Sequence, residues 1–535
     1  MRHAKVLDCT LRDGAYLVDK KFGDNTIYGI INGLVKANIE FIEIGFLQDE
    51  GKGEGKTVFY NSEDAKKYVP KDKKNSMFTV LADYSRYSIE NLDECTPDSF
   101  DAVRACFFKK ERYQVIEFCK KIKEKGYKLF VQPVDILGYT DAELIEFLEL
   151  INPIEPYALS IVDTFGSMYV DDLQRIFSLI NHNLIETCHL GFHSHNNMQM
   201  SNALSQEFIK MSLGKRQVIV DATLSGMGRG AGNTPTELVV QYMVSQMGYT
   251  YDIDAVLDVI DDYMDNIRSR CSWGYSTSYF IAGCYSAHVN NISYLTRKNS
   301  IRSKDIRYIL NKVGGQKRKR YDYDLLEKTY LEYVKADIDD SDNIALLKKH
   351  IEGKNVVLLA PGNTARKMQD EIGLYIKEKN AIVISVNFIH DVLKAEYLFF
   401  SNNSRYEYWK NDTRFKDFNK IVTSNISADV RENDLYVSFA NLIKCGWEHM
   451  DNAAILLLRL LDNCRLESLT IAGLDGYEYI SMMDNNYVSN EMELSNVREN
   501  PYELNSEIQE MLYDYMATRK SEYPVTFFTP SRFKI

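Results

Sequence analysis

Cysteine is scarce and unpatterned in this 535-residue chain: nine residues, scattered, with no C-x-x-C pair. An odd count in so long a chain argues against a disulfide framework and for a reducing compartment. No thiolate set is placed to close a structural zinc site. Proline is also rare, at 10 residues, in a composition that is otherwise globular. No apolar run reaches the ~18 residues of a membrane span. Met1-Arg2-His3-Ala4-Lys5 leads straight into a strand pattern with no apolar export segment ahead of it. The expectation is a cytoplasmic protein with no membrane partner. Positive charge is in deficit, with Lys+Arg 64 against Asp+Glu 76 and a formal net charge of -12. That balance argues against nucleic acid as a partner. The basic run Lys317-Arg318-Lys319-Arg320 is local and reads as a solvated helix end or linker.

What is present is an alternation. Strand-like runs recur at Ala4–Thr10, Ile39–Phe46, Ser76–Ala82, Ala102–Phe107, Lys128–Val134, Tyr157–Val162, Thr187–Phe192 and Gln217–Asp221. Helical patterns lie between most of them, among them Asp24–Lys36, Lys110–Gly126, Asp141–Ile151, Asp171–His182 and Ser201–Leu213. Strands alternating with helices imply parallel βαβ units. Eight such strands predict an N-terminal (β/α)8 TIM barrel. A doubly wound sheet is the alternative, but no G-x-G-x-x-G follows the first strand.

A barrel places its chemistry where strands end. Arg12-Asp13-Gly14 follows the first run, Glu43 lies on the second, Arg104 on the fourth and Gln132 on the fifth. Asp163-Thr164 closes the sixth, and the Gly-rich loop Gly226–Asn233 follows the eighth. His193 and His195 end the seventh run. Residues two apart on a strand share a face, so both imidazoles point the same way. Two such imidazoles can hold a metal ion, or pack as ordinary core histidines. Asp13 adds a hard carboxylate and Asn233 an amide oxygen. That set suits Mn²⁺ or Mg²⁺, with Zn²⁺ or Co²⁺ as alternatives. A metal open to a 2-oxo acid polarises its carbonyl and stabilises an enolate. Arg12 offers a fixed cation to the same oxyanion, or a salt bridge at the barrel mouth.

Asp8-Cys9-Thr10-Leu11-Arg12-Asp13-Gly14, Gly191-Phe192-His193-Ser194-His195-Asn196-Asn197 and Gly230-Ala231-Gly232-Asn233-Thr234-Pro235-Thr236-Glu237 together resemble the DRE-TIM metallolyase superfamily. That superfamily includes hydroxymethylglutaryl-CoA lyase, isopropylmalate synthase and 4-hydroxy-2-oxovalerate aldolase. The last motif looks most like the aldolase branch. The resemblance covers about residues 1–315. It implies that Asp13, His193 and His195 are metal ligands and that Asn233 is a further one. It implies that Arg12 stabilises a pyruvate enolate, that Thr164 lies near the substrate carboxylate, and that Glu43 is a polar position of the site. Tyr16 stands where the aldolase branch has its acid/base histidine, and free tyrosine is a poor base at neutral pH. The family's late tyrosine has no clear match; Tyr294 and Tyr275 are the substitutes available. The implied activity is that of a divalent-metal-dependent aldolase or lyase acting on a 4-hydroxy-2-oxo acid. Its partners would be a small-molecule 2-oxo acid and an aldehyde.

The expected domains are 1–315, barrel with helical extension; 316–340, a charged linker whose aspartate-rich end spans Asp337–Asp342; and 341–535, a Rossmann-like α/β domain. In the last, strands are expected at Asn355–Ala360, Ala381–Val386, Glu396–Ser401, Lys420–Ser424 and Ser468–Ala472. The strand–helix turn at Gly362 could hold a phosphate, or carry glycine for geometry alone. Two other functions stay open. One is a Claisen-type acyl-CoA lyase or synthase. The other is a degenerate barrel scaffold whose C-terminal domain binds a nucleotide or a protein, although the retained ligand set speaks against decay. A homo-oligomer or a downstream enzyme partner also stays open.

Overall fold

Eight parallel strands close on themselves in the computed structural model, which describes residues 3–298, 300–335, 338–426, 434–479, 486–487 and 500–535. They are β1 (Ala4–Asp8), β2 (Phe41–Leu47), β4 (Met77–Asp83), β5 (Ala102–Phe108), β6 (Lys128–Val134), β7 (Ala158–Asp163), β8 (His189–Ser194) and β9 (Val218–Ala222). Pairing runs β1-β9-β8-β7-β6-β5-β4-β2, and β1 also pairs with β2, so the barrel is closed. A two-residue strand, β3 (Val58–Phe59), adds to the rim beside β2. Helices such as Asp24–Lys36, Asp141–Ile151 and Val170–Asn183 return the chain between strands and bury their apolar stripes against the outside of the barrel.

The barrel interior follows from the two-residue period of a strand. Leu7, Phe41, Ala102, Phe130, Ala158 and Ile219 form a buried apolar layer of their own. Cys9, just past the end of β1, belongs to the same apolar cluster, and two residues further along the other strands stand Glu43, Arg104, Gln132, Ser160 and Asp221. The polar layer therefore sits on an apolar floor, toward the C-terminal strand ends. Gln132 Nε2 donates to Ser160 Oγ at 2.7 Å, which satisfies two of its members.

The chain forms two units. The first runs to Ile292 and takes back Arg318–Arg320; the second holds Ser293–Lys317 and Tyr321–Ile535. The helical stretch 293–317, expected with the barrel, thus groups with the second unit. The expected linker also differs: Tyr323–Val334 is a helix that buries Leu326, Thr329, Tyr330 and Val334. Its apolar residues recur at helical spacing beneath the charges that suggested a linker. Asp337, in the aspartate-rich stretch, lies outside the described residues. The basic run is not simply solvated. Arg318 Nε donates to Tyr285 O at 2.6 Å, and Lys319 Nζ pairs with Asp135 at 2.6 Å. The carbonyls of Arg318 and Arg320 both accept from Asn291 Nδ2 at 2.8 Å.

The second unit carries a separate parallel sheet ordered β14-β13-β12-β11-β10-β15-β16. Its strands are β10 (Asn355–Leu359), β11 (Ile382–Val386), β12 (Tyr397–Phe400), β13 (Asn419–Thr423), β14 (Leu435–Val437), β15 (Ser468–Ala472) and β16 (Val525–Phe527). At the Gly362 turn, Thr364 N donates to Asp475 Oδ2 at 2.8 Å, so the chain's own carboxylate stands where a phosphate would. A Cβ on Gly362 would lie 2.3 Å from Gly473 O, which is why the turn needs glycine. No helix among the described residues is long and apolar enough to cross a membrane.

Candidate active site

β8 and the segments that follow β1, β8 and β9 bring Asp13, His193, His195 and Asn233 together. Asp13 ends a one-turn helix, Thr10–Asp13, that follows β1. His193 lies on β8, and His195 just beyond it bridges to Asn233 in the loop after β9. Asp13 Oδ2 lies 3.4 Å from His195 Nε2, 3.8 Å from His193 Nε2 and 2.6 Å from Asn233 Nδ2. One potential ligand atom from each of Asp13, His193 and His195 lies within 4.8 Å of the other two.

The outer ring nitrogens are anchored. His193 Nδ1 bonds Asp221 Oδ2 at 3.0 Å, and His195 Nδ1 bonds the carbonyl of Asp163 at 3.0 Å. Both Nε2 atoms are thereby turned toward the same carboxylate, the arrangement by which protein groups aim metal-ligating histidines. Asn233 places Nδ2 on Asp13 and on Met227 O, and its buried Oδ1 has no partner among the described residues. A carboxylate, two imidazoles and an orphaned amide oxygen fit a divalent cation. Cys9 lies beside His193 and Asp221, but burial holds its thiol well above the ordinary range, so it offers no thiolate.

A chain of buried charges supports this cluster. Arg12 Nη1 bonds Asp13 Oδ1 at 2.8 Å and Arg12 Nε bonds Glu43 Oε2 at 2.7 Å. Arg104 Nη1 reaches the same Glu43 oxygen at 2.8 Å, and its Nη2 bonds Asp221. The series Asp13–Arg12–Glu43–Arg104–Asp221 therefore alternates in sign through the barrel and ends on His193. Burial alone would favour neutral Arg12; Glu43 and then Asp13 outweigh it and hold the guanidinium charged. Burial likewise opposes the Asp13 carboxylate, and Arg12 and His195 outweigh it. Burial lowers His193 more than Asp221 raises it, which keeps the imidazole neutral and its lone pair available.

Tyr16 lies in the turn Gly14–Val18 that directly follows Asp13. Its ring meets Phe46 edge-on at 5.3 Å, and the Arg229 guanidinium stacks over it at 3.9 Å. Burial raises the hydroxyl above its ordinary range, against the pull of Arg229 and Arg12. Thr164 Oγ1 accepts from Asp135 N at 2.7 Å, and no hydrogen bond joins it to the four clustered residues. Tyr294 belongs to the second unit, where its hydroxyl bonds Glu327, and Tyr275 is 63% exposed. Tyr275 is therefore not a late tyrosine built into this cluster.

Sequence reasoning missed Asp221 and Arg229 and gave Arg104 no role. A signal existed for two of them: each stands alone as a charge in an apolar strand, Val218-Ile219-Val220-Asp221 and Ala102-Val103-Arg104-Ala105. A lone inward charge on a buried strand needs a partner.

Residues 3–262 match the family model described as HMGL-like. An oxaloacetate decarboxylase of Mycobacterium tuberculosis is 26% identical over 276 residues, covering 51% of this chain and 80% of that protein. A 4-hydroxy-2-oxovalerate aldolase of Moorella thermoacetica is 25% identical over 334 residues, covering 59% of this chain and 94% of that protein. One from Carboxydothermus hydrogenoformans is 26% identical over 330 residues, covering 58% and 94% respectively.

Proposed function

Because residues 3–262 belong to the HMGL-like family of the DRE-TIM superfamily, whose members support a metal-dependent lyase, we propose the finer activity. The chain is an aldolase that makes or cleaves the carbon–carbon bond of a 4-hydroxy-2-oxo acid through a pyruvate enolate. The observation that carries this reading is the pair of anchored imidazoles aimed with Asp13 at one point.

Asp13, His193 and His195 would hold the divalent ion, Mn²⁺ or Mg²⁺, with Asn233 Oδ1 as a further oxygen donor. Bound there, it supplies Lewis-acid polarisation of the 2-oxo acid carbonyl. Arg12 faces the negative charge that grows on the enolate oxygen. Glu43 and Asp13 fix its fork, so no reorganisation is required during reaction. Glu43 acts by holding Arg12 and Arg104 in place. Tyr16 keeps its proton at neutral pH and holds it for the 4-hydroxyl oxygen, in the role a histidine has in the aldolase branch. Thr164 has its hydroxyl hydrogen left to donate to the substrate carboxylate. Arg12, Asp13, His193 and Asn233 are buried, which strengthens the electrostatic interactions among them. All nine cysteines are free, which suits work in the cytoplasm.

Proton exchange at the pyruvate methyl group, followed by NMR in D₂O, tests this reading without knowledge of the aldehyde. Exchange with Mn²⁺ or Mg²⁺ that disappears on chelation is expected. No exchange from metal-loaded protein would overturn it.

A further inference from the structure

The loops after β1 and β9 bring Tyr16 and Arg229 face to face. Arg229 is half-buried, and among the described residues no carboxylate pairs with its guanidinium. Its position is nonetheless fixed by its neighbours. A Cβ on Gly228 would lie 2.2 Å from Asn233 Nδ2, and one on Gly230 would lie 2.8 Å from Asn197 Oδ1. The loop backbone is pressed against the residue that bonds Asp13, so Arg229 is delivered to the edge of the site rather than to open solvent.

Lys20 stands on the same side. Its Nζ lies 4.8 Å from the Phe46 ring that also packs against Tyr16, and it donates to Gln48 Oε1 at 2.7 Å. It too has no carboxylate partner among the described residues. Burial lowers its pKa first, and Arg86, Lys56 and Arg229 lower it further. Positive charges thus gather at one side of the barrel mouth in a chain of net charge -12. Half-buried cations without counter-charges are unfavourable unless a ligand supplies the anion.

Resting on the aldolase reading, we propose that Arg229, supported by Lys20, binds an anionic group on the half of the substrate distal to the 2-oxo acid. The acceptor is then an acid-bearing aldehyde, carrying a carboxylate or a phosphate, rather than a simple alkyl aldehyde. The bond formed joins the methyl carbon of pyruvate to the aldehyde carbon. The methyl group loses one proton and the aldehyde oxygen gains one, with no change of oxidation state that needs a carrier. Arg229 is the specificity-determining residue, and the Tyr16 ring is the platform that orients it. Its planar fork suits either anion.

The test uses the full-length, Mn²⁺-loaded protein and two matched pairs of aldehydes offered with pyruvate. Succinic semialdehyde is set against butanal, and glyceraldehyde 3-phosphate against glyceraldehyde. The readout is the ratio of kcat/KM within each pair, so a general loss of activity does not enter. The wild-type protein should favour the charged member of one pair by at least about tenfold, and that pair identifies the anion. In Arg229→Ala the ratio should fall to within about threefold of unity, with partial recovery in Arg229→Lys. A ratio near unity in the wild type, or one that survives in Arg229→Ala, overturns the proposal. Calorimetric titration with succinate and with inorganic phosphate needs no turnover. At least one of them should bind the wild type and bind Arg229→Ala at least about tenfold more weakly. Neither binding would overturn the subsite even if pyruvate exchange succeeds. Failed exchange with this binding intact would instead overturn the aldolase reading alone.

Discussion

His193 Nδ1 and Asp221 Oδ2 lie 3.0 Å apart inside the barrel, and Arg104 bonds that same carboxylate oxygen. Asp221 therefore sets the direction of an imidazole and neutralises a buried guanidinium at once. The candidate metal-ligand cluster is held from behind by a residue outside it.

Replacing Asp221 by asparagine should loosen both functions. Metal affinity should fall by about 10–100-fold, read by competition with a chromophoric chelator. Thermal stability should fall as well, because Arg104 keeps only Glu43 as a buried carboxylate partner. An unchanged metal affinity would remove Asp221 as the orienting residue.

Arg12→Ala should keep the metal and lose turnover. The expected drop in kcat is about 10²–10³-fold, the worth of one preorganised oxyanion donor. Metal content measured by atomic absorption separates this from collapse of the site. A variant that holds metal and turns over normally would end the oxyanion role.

Tyr16→Phe keeps the ring against Phe46 and Arg229 and removes only the hydroxyl. Aldol turnover should fall by about 10²-fold or more, and by more than pyruvate exchange falls. Because burial raises the hydroxyl's pKa, its protonated form persists across neutral pH, so Tyr16 should add no limb to the rate profile between about pH 5 and 8. An unchanged turnover would mean that another group carries the proton.

Asp8 makes a prediction about stability. It accepts from Thr10 N at 3.0 Å and from Thr236 Oγ1 at 2.6 Å, yet burial pushes its carboxyl from 3.8 up to about 6. The folded state thus binds the proton more tightly than the unfolded chain does. This contribution is full below about pH 4 and is lost as pH rises through 6, at a cost of roughly 3 kcal/mol by pH 7. Asp8→Asn does not titrate. Its melting temperature should gain on the wild type between pH 4 and pH 7, and parallel curves would show that Asp8 is not the buried group responsible.

Much of the site could be read from the chain because its members sit where patterns change. His193 and His195 break an apolar strand at a spacing of two, and Asp13 and Asn233 lie in loops whose glycines and polar residues interrupt the strand–helix rhythm. Arg104 and Asp221 are different. A strand buried on both faces hides one inward charge among its apolar neighbours, and only the closed barrel shows that Glu43 and His193 satisfy the two. The meeting of Tyr16 with Arg229 was equally hidden, since it depends on β1 and β9 being neighbours. The helix Tyr323–Val334 was obscured for the opposite reason: its charges are conspicuous and its buried stripe is short.

The Asp13–Asn233 contact spans 220 positions of the chain. Contacts this distant are among the last to form, since the loop between them must close first. A nascent chain that has emerged only as far as His195 holds both histidines and Asp13 but cannot yet seal β1 against β9. On the proposed ligand set, metal uptake during refolding should therefore follow barrel closure rather than precede it, and a chain able to hold an ion there has passed a test of its own topology.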